Sequence, residues 1–343
     1  MNYYFPLPAL TVVALDLFVP YGVAFKLVTI AGLAALPYAA YYFTRSMGFS
    51  RPVSVAGGLA GFSFIFMEQF SIFGGNTLST LAGEYSFSWS FALSLVYLGM
   101  VIRNTREGKG LTAGPAIVLA LTAMSHIITT LMAVLASLPL LLRRKGASTV
   151  AGSWGLGFGL AAFWAVPLLV RAPSYSNDMG WQPVRGIQNV IWPVAAADGT
   201  CTFPCPSREL LPVVILGLGG LIWAASRRKW IGPAIAMAVI PIVAFFGIEY
   251  LHNHDMSLGP FKPTIIYNAR LLPYWYFVMF LFAGVFAGMA AVALVRRLRA
   301  RPLTLWLGGS LAAVLFLVVI GVGVHKTPAW ATWNYSGYEA KCG

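Results

Sequence analysis

The sequence predicts an all-α integral membrane protein, a single polytopic domain (residues 1–343) with about ten membrane-embedded helices. Three observations predict it. Hydrophobic residues fill 59% of the chain and charged residues 10%, against about 25% charged in a soluble domain, and the mean hydropathy is +0.76. The apolar residues fall in runs of roughly 17 to 25, the length that crosses ~30 Å of hydrocarbon. Basic residues gather between those runs rather than within them.

The runs are continuous and do not alternate with period two. That favours helices over a β-barrel, because a helix bonds every backbone polar group within its own segment. Fifteen of the 23 Lys/Arg form five clusters: Arg45 and Arg51; Arg103, Arg106 and Lys109; Arg143, Arg144 and Lys145; Arg227, Arg228 and Lys229; Arg296, Arg297, Arg299 and Arg301. Glu107 alone among the acids shares those segments. This pattern places the basic loops in the cytoplasm of a multi-pass plasma (inner) membrane protein. The net charge of +13 is therefore a topology signal, and no nucleic-acid partner is expected.

The elements follow in order. Residues 5–19 are apolar but short and are interrupted by Pro6, Pro8 and Asp16, which suits a re-entrant or interfacial helix on the outer face. Spans are expected near 21–44, 52–67 and 86–102. Residues 111–142 are too long for one straight span, which would also carry Arg143–Lys145 outside. Two short helices meeting near Ser125 and His126 keep that cluster inside. Further spans are expected near 148–170, 209–225, 230–248, 270–294 and 303–324. The outer segments are then about 68–85, 171–208, 249–269 and 325–343. The cytoplasmic loops are too short to house a domain, so function is expected on the outer face or within the membrane. The chain opens at the outer face with no span to deliver it there, and it stops at Gly343 without a finishing element. A fragment of a longer protein, or an N-terminus translocated alone, is the expectation.

Several polar residues could carry chemistry. Glu84 lies in a glycine-rich polar segment between two spans, where a carboxylate can act as general base or hold a polar substrate. It could equally offset the dipole of a helix starting at Ser86 or Ser88. His126 stands at the apex of the proposed hairpin, as an intramembrane ionisable group or as a helix-junction residue bonded to a backbone carbonyl. Arg270 marks the outer start of a long span, suited to a lipid phosphate or to snorkelling towards the interface. Glu249, His252, His254 and Asp255 form a loose acid–histidine group. Asp178, close to Tyr175 and Trp181, suits sugar recognition, although the aromatic belt also explains the rings. Cys201 and Cys205 sit close enough in an outer loop for a local disulfide. The sequence has no Walker A motif, no Gly-x-Gly-x-x-Gly opening a helix, no Gly-x-Ser-x-Gly and no His-Glu-x-x-His. No metal site is expected, and no cofactor is required, although a divalent cation is compatible with the outer acids.

The segments Tyr4–Pro8, Tyr21–Lys26, Gly74–Asn76, Leu81–Ser88, Ser125–His126, Asn268–Pro273 and Trp333–Glu339 occur in this order. Together they resemble actinobacterial membrane proteins carrying the domain called "6-pyruvoyl-tetrahydropterin synthase-related", and nothing in them resembles the soluble pterin enzyme. That family is similar to membrane glycosyltransferases of the GT-C type, which use polyprenyl-phosphate sugars at the outer face. The resemblance covers nearly the whole chain. It implies a GT-C-like bundle, with Glu84 and His126 as catalytic positions and Arg270, Asn268 and Asp178 as donor- or substrate-binding ones. The GT-C pattern also places a catalytic Asp or Glu in a first outer loop after the first span, and this chain has neither. The implied function is transfer of sugar from polyprenyl phosphate to a cell-envelope glycan or lipid, by an enzyme or a truncated relative of one. The alternatives are a transporter or flippase of lipid-linked intermediates, whose buried charges would be mainly Lys26 and His126, and a non-catalytic membrane scaffold.

Overall fold

The computed structural model describes residues 5–67, 70, 72–175, 180–181, 190, 210–227, 230–257, 259 and 262–298. Asp178, Cys201, Cys205, the expected span 303–324 and the segment 325–343 lie outside the described residues. The protein is an all-α membrane protein, with no strand among the described residues. The helices are α1 (Pro6–Asp16), α2 (Tyr21–Ser46), α3 (Arg51–Ile65), α4 (Thr77–Ser79), α5 (Tyr85–Glu107), α6 (Ala113–Ser125), α7 (Ile127–Ser137), α8 (Arg144–Tyr175), α9 (Leu211–Arg227), α10 (Gly232–Asn253) and α11 (Leu272–Leu298).

Five segments among the described residues are long and apolar enough to cross a membrane: Tyr21–Ser46, Thr77–Glu107, Arg144–Arg171, Gly232–Asn253 and Asn268–Val295. Shorter apolar helices accompany them, α1 and α9 among them. Several helices outrun the expected spans. α5 runs to Glu107, α8 begins at Arg144 and α10 reaches Asn253. Hydropathy registers where hydrocarbon ends, whereas a helix continues until its backbone meets a stop such as the left-handed Gly108 that closes α5.

The hairpin forms as expected, and side chains pin both of its ends. The Asn104 amide donates to Thr112 Oγ1 at 2.6 Å, fixing the start of α6 beside the arginine-bearing end of α5. Gly146 packs so closely on the Leu140 carbonyl and on Thr105 that a Cβ there would lie 2.1 Å from the carbonyl oxygen, so the returning helix of the hairpin reaches the same end. At the apex, Ser90 Oγ donates to the Thr122 carbonyl at 2.8 Å. His126 has extended backbone (φ −167°) and separates α6 from α7.

Glycines set how near the other helices approach. Helices in lipid gain little from apolar burial against one another, so small residues that permit close van der Waals contact take over that role. Gly284 and Gly288 of α11 lie against Ala56 and Val53 of α3, and a Cβ at Gly284 would sit 2.5 Å from the Ala56 carbonyl oxygen. Gly217 and Gly220 of α9 meet α11 in the same way, at the carbonyls of Met279 and Phe282. Gly32 of α2 rests on the Ser88–Trp89 backbone of α5. The core between these contacts is aromatic: Phe64, Phe91 and Phe277 form edge-to-face pairs with centroids 5.0–6.1 Å apart.

Candidate functional site

The segment before α5 begins with a fixed loop. Asn76 is fully buried, its amide donates to the carbonyls of Met67 (2.6 Å) and Phe70 (2.8 Å), and its oxygen accepts from the Ser79 amide (2.9 Å). Gly74, at φ 107°, leaves room for the Phe87 ring, whose Cγ would lie 2.3 Å from any Cβ there. The chain then kinks between α4 and α5 at Gly83, which takes φ 109°. A side chain at Gly83 would be strained in that left-handed region.

The residue after the kink is Glu84. It precedes the first residue of α5 but makes no side-chain cap bond, so capping is not the role of its carboxylate. The carboxylate instead forms an ion pair with Arg270, Nη2 of which donates to Oε1. Arg270 is presented by a 3₁₀ turn, Asn268–Leu271, at the start of α11. Its amide donates to the Tyr267 carbonyl at 3.0 Å, and Asn268 beside it is fully buried. The guanidinium folds back onto Glu84 rather than snorkelling outwards. The pair keeps a limited opening, with side chains 18% exposed at Glu84 and 22% at Arg270. Arg270 Nε is buried and has no hydrogen-bond partner among the described residues. Tyr267 lies just outside the span; burial raises its phenol above the usual range, and the Arg270 charge opposes that shift.

His126 closes the inner wall. The Ile128 amide donates to its Nδ1 at 3.3 Å, which places the ring proton on Nε2. Nε2 lies 3.8 Å from Glu84 Oε2, within electrostatic reach but beyond a hydrogen bond. The junction expected from sequence is therefore present with the opposite bonding: the ring accepts from an amide rather than donating to a carbonyl. Phe5 stacks on the imidazole (4.6 Å) and Phe87 meets it edge-on (5.0 Å). Trp164 of α8 packs against Phe5 at 5.7 Å, and its indole Nε1 is buried without a partner among the described residues.

The structure thus gathers Glu84, His126, Arg270 and the neighbouring Asn268 at the end of the bundle opposite Arg103 and Arg106. Glu84 and Arg106 are 22 residues apart, about 33 Å along a helix. The contributions of Phe5, Trp164 and Asn76 were not anticipated. Phe5 and Asn76 lie in segments that carry the family resemblance, whereas Trp164 carries no sequence signal. The acid–histidine group on α10 does not assemble. His252 packs on Trp181 (4.7 Å) and His254 on Tyr250 (4.1 Å), and no three His, Cys, Asp or Glu converge among the described residues. Lys26 lies at an exposed position of α2.

What the site offers is a carboxylate that can take a proton, a guanidinium with N–H groups to spare for an oxyanion, and an imidazole N–H. A rigid aromatic wall backs all three. Comparison with known proteins places the chain in a family: the model described as "6-pyruvoyl-tetrahydropterin synthase related domain", of membrane proteins, matches residues 1–183. The chain belongs to that family, and the matched region contains Glu84 and His126 but not Arg270. No curated protein and no solved structure matches the chain.

Proposed function

We propose that this family member is a GT-C-like membrane glycosyltransferase that binds a polyprenyl-phosphate sugar at the Glu84–Arg270 cluster. The observation that carries the reading is the mostly buried ion pair at one end of the bundle, with Arg270 Nε lacking a hydrogen-bond partner among the described residues. Arginine binds phosphate through paired N–H donors, and a phosphate arriving at Arg270 takes the place of the Glu84 carboxylate. The displaced carboxylate is then free to act as base.

The Glu84 carboxylate takes the proton of an acceptor hydroxyl on a cell-envelope glycan or lipid. The hydroxyl oxygen bonds to the anomeric carbon, the bond from that carbon to the phosphate oxygen breaks, and polyprenyl phosphate leaves with the electron pair. Arg270 meets the charge on the leaving phosphate. His126, held in one tautomer, directs its Nε2–H towards Glu84 and limits where the carboxylate can move. Asn268 shapes the turn that presents Arg270, and Asp178 is assigned as a further sugar contact on the family resemblance alone. A divalent cation at the donor phosphate is compatible with this arrangement. In this reading the cluster faces outwards and the arginine clusters face the cytoplasm.

The scaffold reading draws on the same ion pair, since a bridge between α5 and α11 also serves purely as a tie. One assay separates the two. Purified full-length protein in detergent is given a polyprenyl-phosphate sugar and an envelope acceptor extract, with magnesium or with a chelator. Sugar transfer that disappears in Glu84→Gln and Arg270→Gln supports the enzyme; no transfer by the folded wild type supports the scaffold.

A further inference from the structure

Two neighbouring cavities lie along α2 and α5, the second of them at the end of the bundle opposite Glu84. The first is an apolar groove of about 500 Å³ between α2 and α5, floored by small residues of α2 (Ala31, Gly32, Ala35) and walled by Trp89, Ala92 and Val96. It opens outwards, where Tyr38 is 77% exposed. From Ala31 to Tyr42 it follows α2 for about 16 Å. The second is a basin of about 330 Å³ lined by Arg45, Arg51, Arg103 and Arg106, with Glu107 as its one acid. Tyr42 lines both cavities, so the groove and the basin lie side by side.

The arginines reach the basin from three separate stretches: the end of α2, the start of α3 and the end of α5. Two of them are fastened by one nitrogen each, which sets their direction. Arg45 Nη1 donates to the Phe49 carbonyl, and Arg106 Nη1 donates to the Ser46 carbonyl at 2.9 Å. Their remaining N–H groups are available to a ligand. Arg51 has no hydrogen-bond or ion-pair partner among the described residues. Glu107 is shared between Arg103 and Lys109, at 2.8 Å from each, so the basin keeps a clear positive excess.

We infer that this groove and basin bind one anionic phospholipid of the surrounding bilayer, its phosphate among the four arginines and one acyl chain along α2 and α5. Positive charge alone would mark only a topological loop. The basin is distinguished by lying next to an apolar groove, as a lipid headgroup lies next to its chains. Basic pockets between membrane helices select anionic lipid heads. The small residues of α2 leave the volume that an acyl chain fills, and the chain replaces contacts that helix packing alone does not supply. This site is independent of the Glu84–Arg270 cluster and stands whether or not that cluster transfers sugar.

The test uses the full chain, delipidated in detergent, with native mass spectrometry as readout. Phosphatidylglycerol and phosphatidylcholine are titrated in parallel, and inorganic phosphate is added as a competitor. Phosphatidylglycerol is expected to bind about tenfold more tightly than phosphatidylcholine. Arg51→Gln/Arg103→Gln, which leaves the fastened Arg45 and Arg106 in place, is expected to remove about tenfold of that affinity. The charge-matched control Arg144→Gln/Arg227→Gln is expected to retain it. Ala35→Phe, which puts a ring into the groove from an exposed position of α2, is expected to weaken binding with the basin intact. Circular dichroism and gel filtration confirm that each variant is folded. Equal binding of the two lipids, or an equal loss in the control, overturns the inference. So does displacement by inorganic phosphate with no effect of Ala35→Phe, which would make the occupant a soluble anion.

Discussion

Glu84 and Arg270 are 186 residues apart in the chain, yet their side chains form an ion pair that ties the start of α5 to the start of α11. Removing one partner leaves the other charge in a site that is about four-fifths buried, whereas removing both leaves none. Glu84→Gln and Arg270→Gln should each lower stability by about 1–3 kcal/mol, and the double variant should lose clearly less than the sum. Thermal melting of the four proteins in one detergent reads this out. Strict additivity would mean that the pair is not coupled.

His126 serves α7 through its ring as well as its backbone. His126→Ala removes the acceptor for the Ile128 amide and empties the space between Phe5 and Phe87. A loss of about 2 kcal/mol or more is expected. Asn at this position retains a capping acceptor, so His126→Asn should lose about half as much. Equal melting of the two variants would show that the cap contributes nothing.

The α9–α11 contact depends on absent side chains. A Cβ at Gly220 would lie 2.2 Å from the Phe282 carbonyl oxygen, so Gly220→Ala must part the helices. A destabilisation of about 1–3 kcal/mol is expected. Gly22→Ala, where nothing lies within 4 Å, should change stability by less than about 1 kcal/mol. If the two variants melt alike, the close approach is not what holds these helices together.

The two ends of α5 should face opposite sides of the membrane. Leu81 is 52% exposed near the Glu84 end and Lys109 has a side chain 53% exposed at the arginine end. In a background with the native cysteines replaced, an impermeant maleimide added to intact cells should label Leu81→Cys and leave Lys109→Cys unlabelled until the cells are opened. The reverse pattern would invert the topology read from the arginine clusters.

The membrane architecture was readable because its signal is chemical and local. Runs of apolar residues and clusters of arginine each report on one stretch of chain at a time. The hairpin at His126 was readable for the same reason: an over-long run flanked by a basic cluster admits few arrangements. Glu84 and Arg270 could be singled out as polar residues beside spans, but not as partners, because nothing local links positions 84 and 270. The role of Phe5 was hidden in the same way. Its ring meets His126 only when the hairpin brings that residue to the start of α1. The loose group at His252 and His254 shows the converse. Spacing brings such residues together in the sequence, but each ring packs on a neighbouring aromatic instead.

The most direct test of the proposed site is binding of a fluorescent polyprenyl-phosphate sugar to the purified full chain, compared with Arg270→Gln and Glu84→Gln. If Arg270 receives the phosphate and Glu84 occupies the same guanidinium at rest, Arg270→Gln should bind at least about tenfold more weakly. Glu84→Gln, freed of a competing carboxylate, should bind as well as the wild type or better while transferring no sugar. Unchanged binding by Arg270→Gln, or equal loss in both variants, would contradict a phosphate site at Arg270 and leave the ion pair as a structural tie between α5 and α11.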